Sequence, residues 1–210
     1  MDQNIDFIRV IFQIVVLVMS AVAHEVSHGF MAYRLGDSTA KDAGRLTLNP
    51  LKHLDLYGSL IVPLVMYIGT FGSFFFAWAK PVPYNPYYFK NPTSDAAKVA
   101  LAGPAVNFAI AVAIGLVLRF VDLPDAAYFQ RLEYLLADIV IINIMLGVFN
   151  LIPIPPLDGS RIIRVFFPRA RILDQIEQYG FFILIFLMFT GIFSYISHLI
   201  FFIFRLIVGG

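Results

Sequence analysis

The chain has 210 residues and no cysteine, which excludes disulfides, thiolate metal ligands and a cysteine nucleophile. Of its residues 60% are hydrophobic and only 14% charged, with a mean hydropathy of +0.80. Soluble domains carry roughly a quarter charged residues, so this is a membrane protein, and a net charge of +1 argues against nucleic acid as a partner.

Five apolar stretches follow one another. The first runs from about Ile5 into Tyr33. The residues before it are acidic, without a basic region or a small-residue cleavage signature, so it reads as a retained membrane helix rather than a signal peptide. The second, Leu56 to Ala79, is interrupted by Gly58, Pro63, Gly69 and Gly72. The third, Ala96 to Val121, carries Ala105, Ala109 and Ala113 at a spacing that suits close helix packing in lipid. The fourth is Leu132 to Ile154. The fifth, Tyr179 to Val208, exceeds the about 20 residues that span a bilayer, and reads as one tilted helix or a pair broken near Gly191 to Ser197. The intervening loops are polar. Lys80 to Ser94 is proline-rich and extended, and Asp158 to Gln178 is basic. The pattern predicts an all-α polytopic membrane protein of about 4–6 membrane helices, as a single membrane-embedded domain over 1–210.

The chemistry is concentrated at the end of the first stretch, in His24-Glu25-Val26-Ser27-His28. On a helix the two histidines are one turn apart and face the same way, a spacing that lets two imidazoles hold one zinc ion with Glu25 beside them as general base. The bland alternative is two histidines on a polar helix face. Three ionisable residues within five positions of a membrane helix are expensive, and such groups mark functional sites. Two histidines do not complete a catalytic zinc site, which takes three protein ligands and an open position. The candidates are His53, His198, Asp55, Glu177, Asp138 and Asp158. Asp158 has the strongest context. It closes Asn150-Leu151-Ile152-Pro153-Ile154-Pro155-Pro156-Leu157-Asp158-Gly159, where prolines break a helix, glycine frees the backbone beyond, and a lone carboxylate lacks a partner.

These two segments together resemble the site-2 protease family of intramembrane zinc metalloproteases. Ala102-Gly103-Pro104-Ala105-Val106-Asn107 is similar to a third element of that family. The loop Gly44 to Asp55 and Trp78-Ala79-Lys80-Pro81-Val82-Pro83 look like its compact prokaryotic branch, without a PDZ-like or CBS-like domain. The resemblance runs from about residue 10 to 190. It implies that His24, His28 and Asp158 bind zinc, that Glu25 activates water, and that Asn150 helps hold the substrate or its oxyanion. It leaves Asn107 without a defined role. The implied activity is hydrolysis of peptide bonds within or near transmembrane segments of membrane-protein substrates, with Zn2+ as cofactor and regulated intramembrane proteolysis as the setting. A non-proteolytic metal-binding protein or transporter is the alternative. The remaining residues read as structural. His53 and His198 belong to a loop and to packing or the interface, Tyr84, Tyr87 and Tyr88 to the interface with Trp78, and the arginines after Asp158 to a solvated flank.

Topology follows from parity. His24 and His28 lie late in the first crossing and Asp158 at the end of the fourth stretch, so four full crossings would put them on opposite sides. A re-entrant segment at 56–79 brings them together. It also gathers eleven positive residues on the site's side: Arg34, Lys41, Arg45, Lys52, Lys80, Lys90, Lys98, Arg161, Arg164, Arg169 and Arg171. Before the C-terminal stretch, the other side keeps only Arg9, Arg119 and Arg131. The positive-inside rule then orients the zinc site toward the cytoplasm in a multi-pass cell-membrane protein.

Overall fold

A computed structural model of the chain describes residues 3–53, 55, 61, 65, 68, 80–121, 124, 126–168 and 170–209. The described residues are helical, with no strand among them. Helix α1 spans Gln3–Arg34, and α2 is a single turn at Thr39–Asp42. Two short 3-10 turns at Pro50–Lys52 and Pro86–Tyr88 punctuate the loops. Helix α3 is Pro92–Phe120, α4 Ala127–Asn150, α5 Gly159–Phe166, α6 Arg171–Phe189 and α7 Ile192–Val208. Among the described residues, three stretches are long and apolar enough to cross a membrane, Phe7–Arg34, Pro92–Phe120 and Tyr128–Asn150, with a shorter apolar helix at Ser194–Val208. The 28 residues of the first rise about 42 Å, more than the hydrocarbon thickness of about 30 Å. The all-α membrane architecture expected from composition is the one observed.

The fifth apolar stretch is not one helix. It breaks at Thr190–Gly191, where Gly191 adopts φ 73°, a left-handed conformation that costs glycine little. Helix α7 then packs its Ile200 into a core with Ala111 of α3 and Val140, Ile144 and Val148 of α4. Its last turn meets the end of α3, where the Arg119 guanidinium donates to the Leu206 carbonyl at 3.1 Å.

The close face of α3 differs from the expected one. Ala105, Ala109 and Ala113 are exposed, and the buried small-residue stripe is Gly103, Asn107, Ala111 and Gly115. A Cβ on Gly115 would lie 2.4 Å from Ile207 of α7. Both stripes recur every fourth residue, and the buried one is marked by Asn107, whose amide turns to protein partners rather than to lipid.

The expected re-entrant path over 56–79, with Gly58, Pro63, Gly69, Gly72 and Trp78, lies outside the described residues apart from isolated positions. Its flanks are described, and they meet: the Lys80 amide donates to the His53 carbonyl at 2.8 Å. The chain therefore leaves and returns at one place. Asp37 ties the same loops together. Its Oδ2 accepts from the Asn85 amide at 2.6 Å and its Oδ1 from the Thr39 amide at 3.0 Å, with the carboxylate fully buried. The end of α1, the start of α3 and the end of α4 thus share one end of the molecule. At the other end Arg9 of α1 grips Asp138 of α4 through two hydrogen bonds of 2.8 and 2.7 Å.

Candidate metal centre

Asp158 is the residue that the helix break delivers. Helix α4 ends at Asn150, and the three prolines carry the chain through turns into α5. Asp158 occupies the N-cap of α5, a position where aspartate usually accepts from the first helical amides. Here its side chain makes no cap hydrogen bond and turns to the histidines instead. Gly159 serves close packing rather than freedom of the backbone, because a Cβ there would lie 2.2 Å from the Leu151 carbonyl oxygen. The tight turn folds Asp158 back against α1.

The three side chains converge. Asp158 Oδ2 lies 3.0 Å from His24 Nε2 and 3.1 Å from His28 Nε2. The two imidazoles stand edge to face, 4.6 Å apart at 88°. All three residues are buried, with 5%, 7% and 7% of their surface exposed. They are the one group of three histidine, aspartate or glutamate residues among the described residues placed to share a metal ion. The donor set suits zinc. Ligands bound at about 2.0–2.1 Å in a tetrahedron lie about 3.3 Å apart, close to the two separations from Asp158. Burial pushes the Asp158 carboxyl up, but hydrogen bonds and the field of His24 and His28 outweigh it and hold the group at about 2. It is a carboxylate at any physiological pH.

The outer nitrogens of both histidines are occupied. His28 Nδ1 donates to the Val99 carbonyl at 2.7 Å, and His24 Nδ1 to Asn107 Oδ1 at 2.6 Å. Such partners fix which nitrogen faces a metal, and they give Asn107 the role that its motif alone leaves open. Helix α3 comes near enough to do this because Gly103 has no side chain. A Cβ there would sit 2.5 Å from His24 Nε2 and 2.6 Å from His28 Cε1. Gly103→Ala is therefore expected to push the histidine pair out of register and reduce turnover by on the order of 10²-fold, the cost of about 1 Å of misplacement. Wild-type turnover and zinc content in that variant would show that the approach is not needed.

Glu25 lies beside the triad. Its Oε2 accepts from the Val82 amide at 2.8 Å, which lays the extended segment after Lys80 over the site. Asn150 donates to its own helix, at the Leu146 carbonyl. With Pro81, Val82, Tyr84, Pro156 and Arg161, the predicted site residues line a cavity of about 130 Å³. Arg161 is exposed, as expected of the solvated flank, but it also reaches the site. Its guanidinium lies over the Tyr84 ring at 5.1 Å and 3.9 Å from Asp158 Oδ1. The other ligand candidates go elsewhere. Asp138 is bound by Arg9, Glu177 by Arg164, His198 donates to the Ser194 carbonyl, and His53 Nε2 to the Thr47 carbonyl.

Two imidazoles and a carboxylate gathered between membrane helices, with a further carboxylate beside them, are the fittings of a membrane-embedded metalloprotease. Residues 114–191 match the model of Peptidase family M50. The chain is 39% identical over 193 residues to a Bacillus subtilis protein named "Putative zinc metalloprotease YwhC", covering 88% of this chain and 83% of that one. It is 33% identical over 179 residues to "Putative zinc metalloprotease Rip2" of Mycolicibacterium smegmatis, covering 82% and 64%. It is also 39% identical over 75 residues to "Zinc metalloprotease MJ0392" of Methanocaldococcus jannaschii, covering 36% and 21%. No solved structure matches the chain significantly. The chain belongs to peptidase family M50, the site-2 protease family, and is a zinc metalloendopeptidase of membranes.

Proposed function

We propose that the protein hydrolyses peptide bonds within or near transmembrane segments of other membrane proteins, as one membrane-embedded domain over 1–210. His24, His28 and Asp158 hold the zinc ion. The convergence of their three ligand atoms between spanning helices carries the reading. Zinc so bound supplies a Lewis acid that polarises the scissile carbonyl and acidifies water. Glu25 takes the proton of the attacking water and returns it to the leaving amine. Asn150, at the rim of the cavity, orients the substrate or donates to the oxyanion. A transmembrane substrate hides its carbonyls in helical hydrogen bonds, so it unwinds locally to be cut. The cavity is far smaller than a peptide, and Val82 leaves Glu25 when substrate enters. Cleavage of a transmembrane reporter by the purified protein, with the Glu25 variant as control, tests the whole scheme. Non-proteolytic transport would call for further ligand clusters along a path, and the described residues hold only this one.

The charge imbalance supports a zinc site on the cytoplasmic side. The protein has no native cysteine, so single cysteines can report it. Cysteines at Ser38 and Asn91, both exposed at the site end, are expected to resist an impermeant thiol reagent in intact cells and react in opened ones. A cysteine at Tyr128, exposed at the start of α4, is expected to react in intact cells. The reverse labelling would overturn the orientation, and labelling of 38 and 91 on opposite sides would overturn the shared end.

A further inference from the structure

The two histidines are held in different ways. His28 Nδ1 meets the Val99 backbone carbonyl, which only accepts, so that nitrogen carries the proton and Nε2 turns its lone pair to the site. His24 Nδ1 meets the side-chain amide of Asn107, whose two ends are alike in shape and opposite in hydrogen-bonding sense. With Oδ1 toward the ring, His24 Nδ1 carries the proton and Nε2 is free for metal. With the amide reversed, its N–H groups would face Nδ1, the proton would sit on Nε2, and the ligand lone pair would be lost.

We infer that Asn143, on α4, is a positioning residue that locks Asn107 in the metal-binding sense. Its own orientation is forced, because Nδ2 lies 2.9 Å from the Ile139 carbonyl, an acceptor only, and 3.0 Å from Ser20 Oγ. Its Oδ1 therefore faces Asn107 and takes a hydrogen bond from Asn107 Nδ2 at 3.0 Å. Among the described residues, Asn107 Nδ2 also donates to the Ser20 carbonyl, at the longer distance of 3.3 Å. Reversing Asn107 would set its oxygen against Asn143 Oδ1 and the Ser20 carbonyl at once. Both amides are fully buried, so no bulk water meets the unpaired groups. The relay Ile139–Asn143–Asn107–His24 thus runs from a backbone carbonyl of α4, through α3, to the tautomer of a ligand on α1. Asn143 lies in none of the motifs that carry the family resemblance.

The inference rests on His24 as a zinc ligand, and it is tested by zinc affinity, measured on the purified protein by chelator competition. Loss of a ligand's hydrogen-bond partner costs about 10–100-fold in metal affinity. Asn143→Leu, which keeps the branching at Cγ but removes the polar atoms, is expected to lower affinity about tenfold, with KM for a transmembrane reporter unchanged at saturating zinc. Asn143→Asp, held as the uncharged acid in this fully buried place, donates its proton to the Ile139 carbonyl and keeps an acceptor toward Asn107; it is expected to stay within about threefold of wild type, so it decides the matter if the leucine variant does not fold. Asn107→Leu with Asn143→Leu is expected to bind no more weakly than Asn107→Leu alone, since Asn143 acts only through Asn107. Wild-type affinity in Asn143→Leu, equal losses for leucine and aspartate, or additive losses in the double variant would each overturn the relay. Failure of the His24 assignment looks different, because His24→Ala would then keep its zinc.

Discussion

Glu25→Gln is expected to lower reporter cleavage by roughly 10³-fold or more while zinc content stays at the wild-type level. Proton transfer by a positioned base contributes about 10²–10⁴-fold, and the proposed mechanism gives Glu25 both the proton of water and its return to the amine. The substitution isolates that role for a structural reason. Glu25 is not among the converging ligand atoms, which come from His24, His28 and Asp158. Among the described residues its hydrogen-bond partner is the Val82 amide, and a glutamine carbonyl oxygen accepts the same bond at the same length of side chain. The segment over the site and the metal ligands are therefore expected to stay in place. Cleavage by the purified variant at near wild-type rate would remove Glu25 as the base. Zinc loss in the variant would instead make it a ligand.

Asp158→Ala is expected to strip zinc from the purified protein and abolish cleavage, and His24→Ala and His28→Ala are expected to do the same. A catalytic zinc site with three protein ligands has none to spare. The loss should exceed the about 10–100-fold that removal of a ligand's hydrogen-bond partner costs. At Asp158 the effect is compounded, because its carboxylate faces both Nε2 atoms in a buried site and balances part of the ion's charge. Arg161 does not take over, since a cation beside the vacated position repels a metal. Metal analysis after dialysis against a mild chelator gives the answer. Full zinc occupancy in Asp158→Ala would exclude it as the third ligand.

Composition and local spacing carried a good part of this protein. An apolar chain with few charges has to satisfy its backbone within lipid, and that demands helices whatever their arrangement. The spacing of His24 and His28 needs only one helix turn to become a pair, and Glu25 comes with them. Asp158 was legible as a lone carboxylate beyond a proline-broken helix, within a segment of recognisable kind. What only the tertiary structure decided lies between residues far apart in the chain. The hydrogen bond of His24 to Asn107 spans 83 positions, that of Asn107 to Asn143 spans 36, and that of Val82 to Glu25 spans 57. A side-chain amide has no periodicity, and nothing in its neighbours announces which imidazole it will meet. The same limit explains the misplaced packing face of α3, where two stripes of equal period compete. The buried one carries Gly103 and Asn107, whose contacts with His24 exist only once α1 and α3 are side by side.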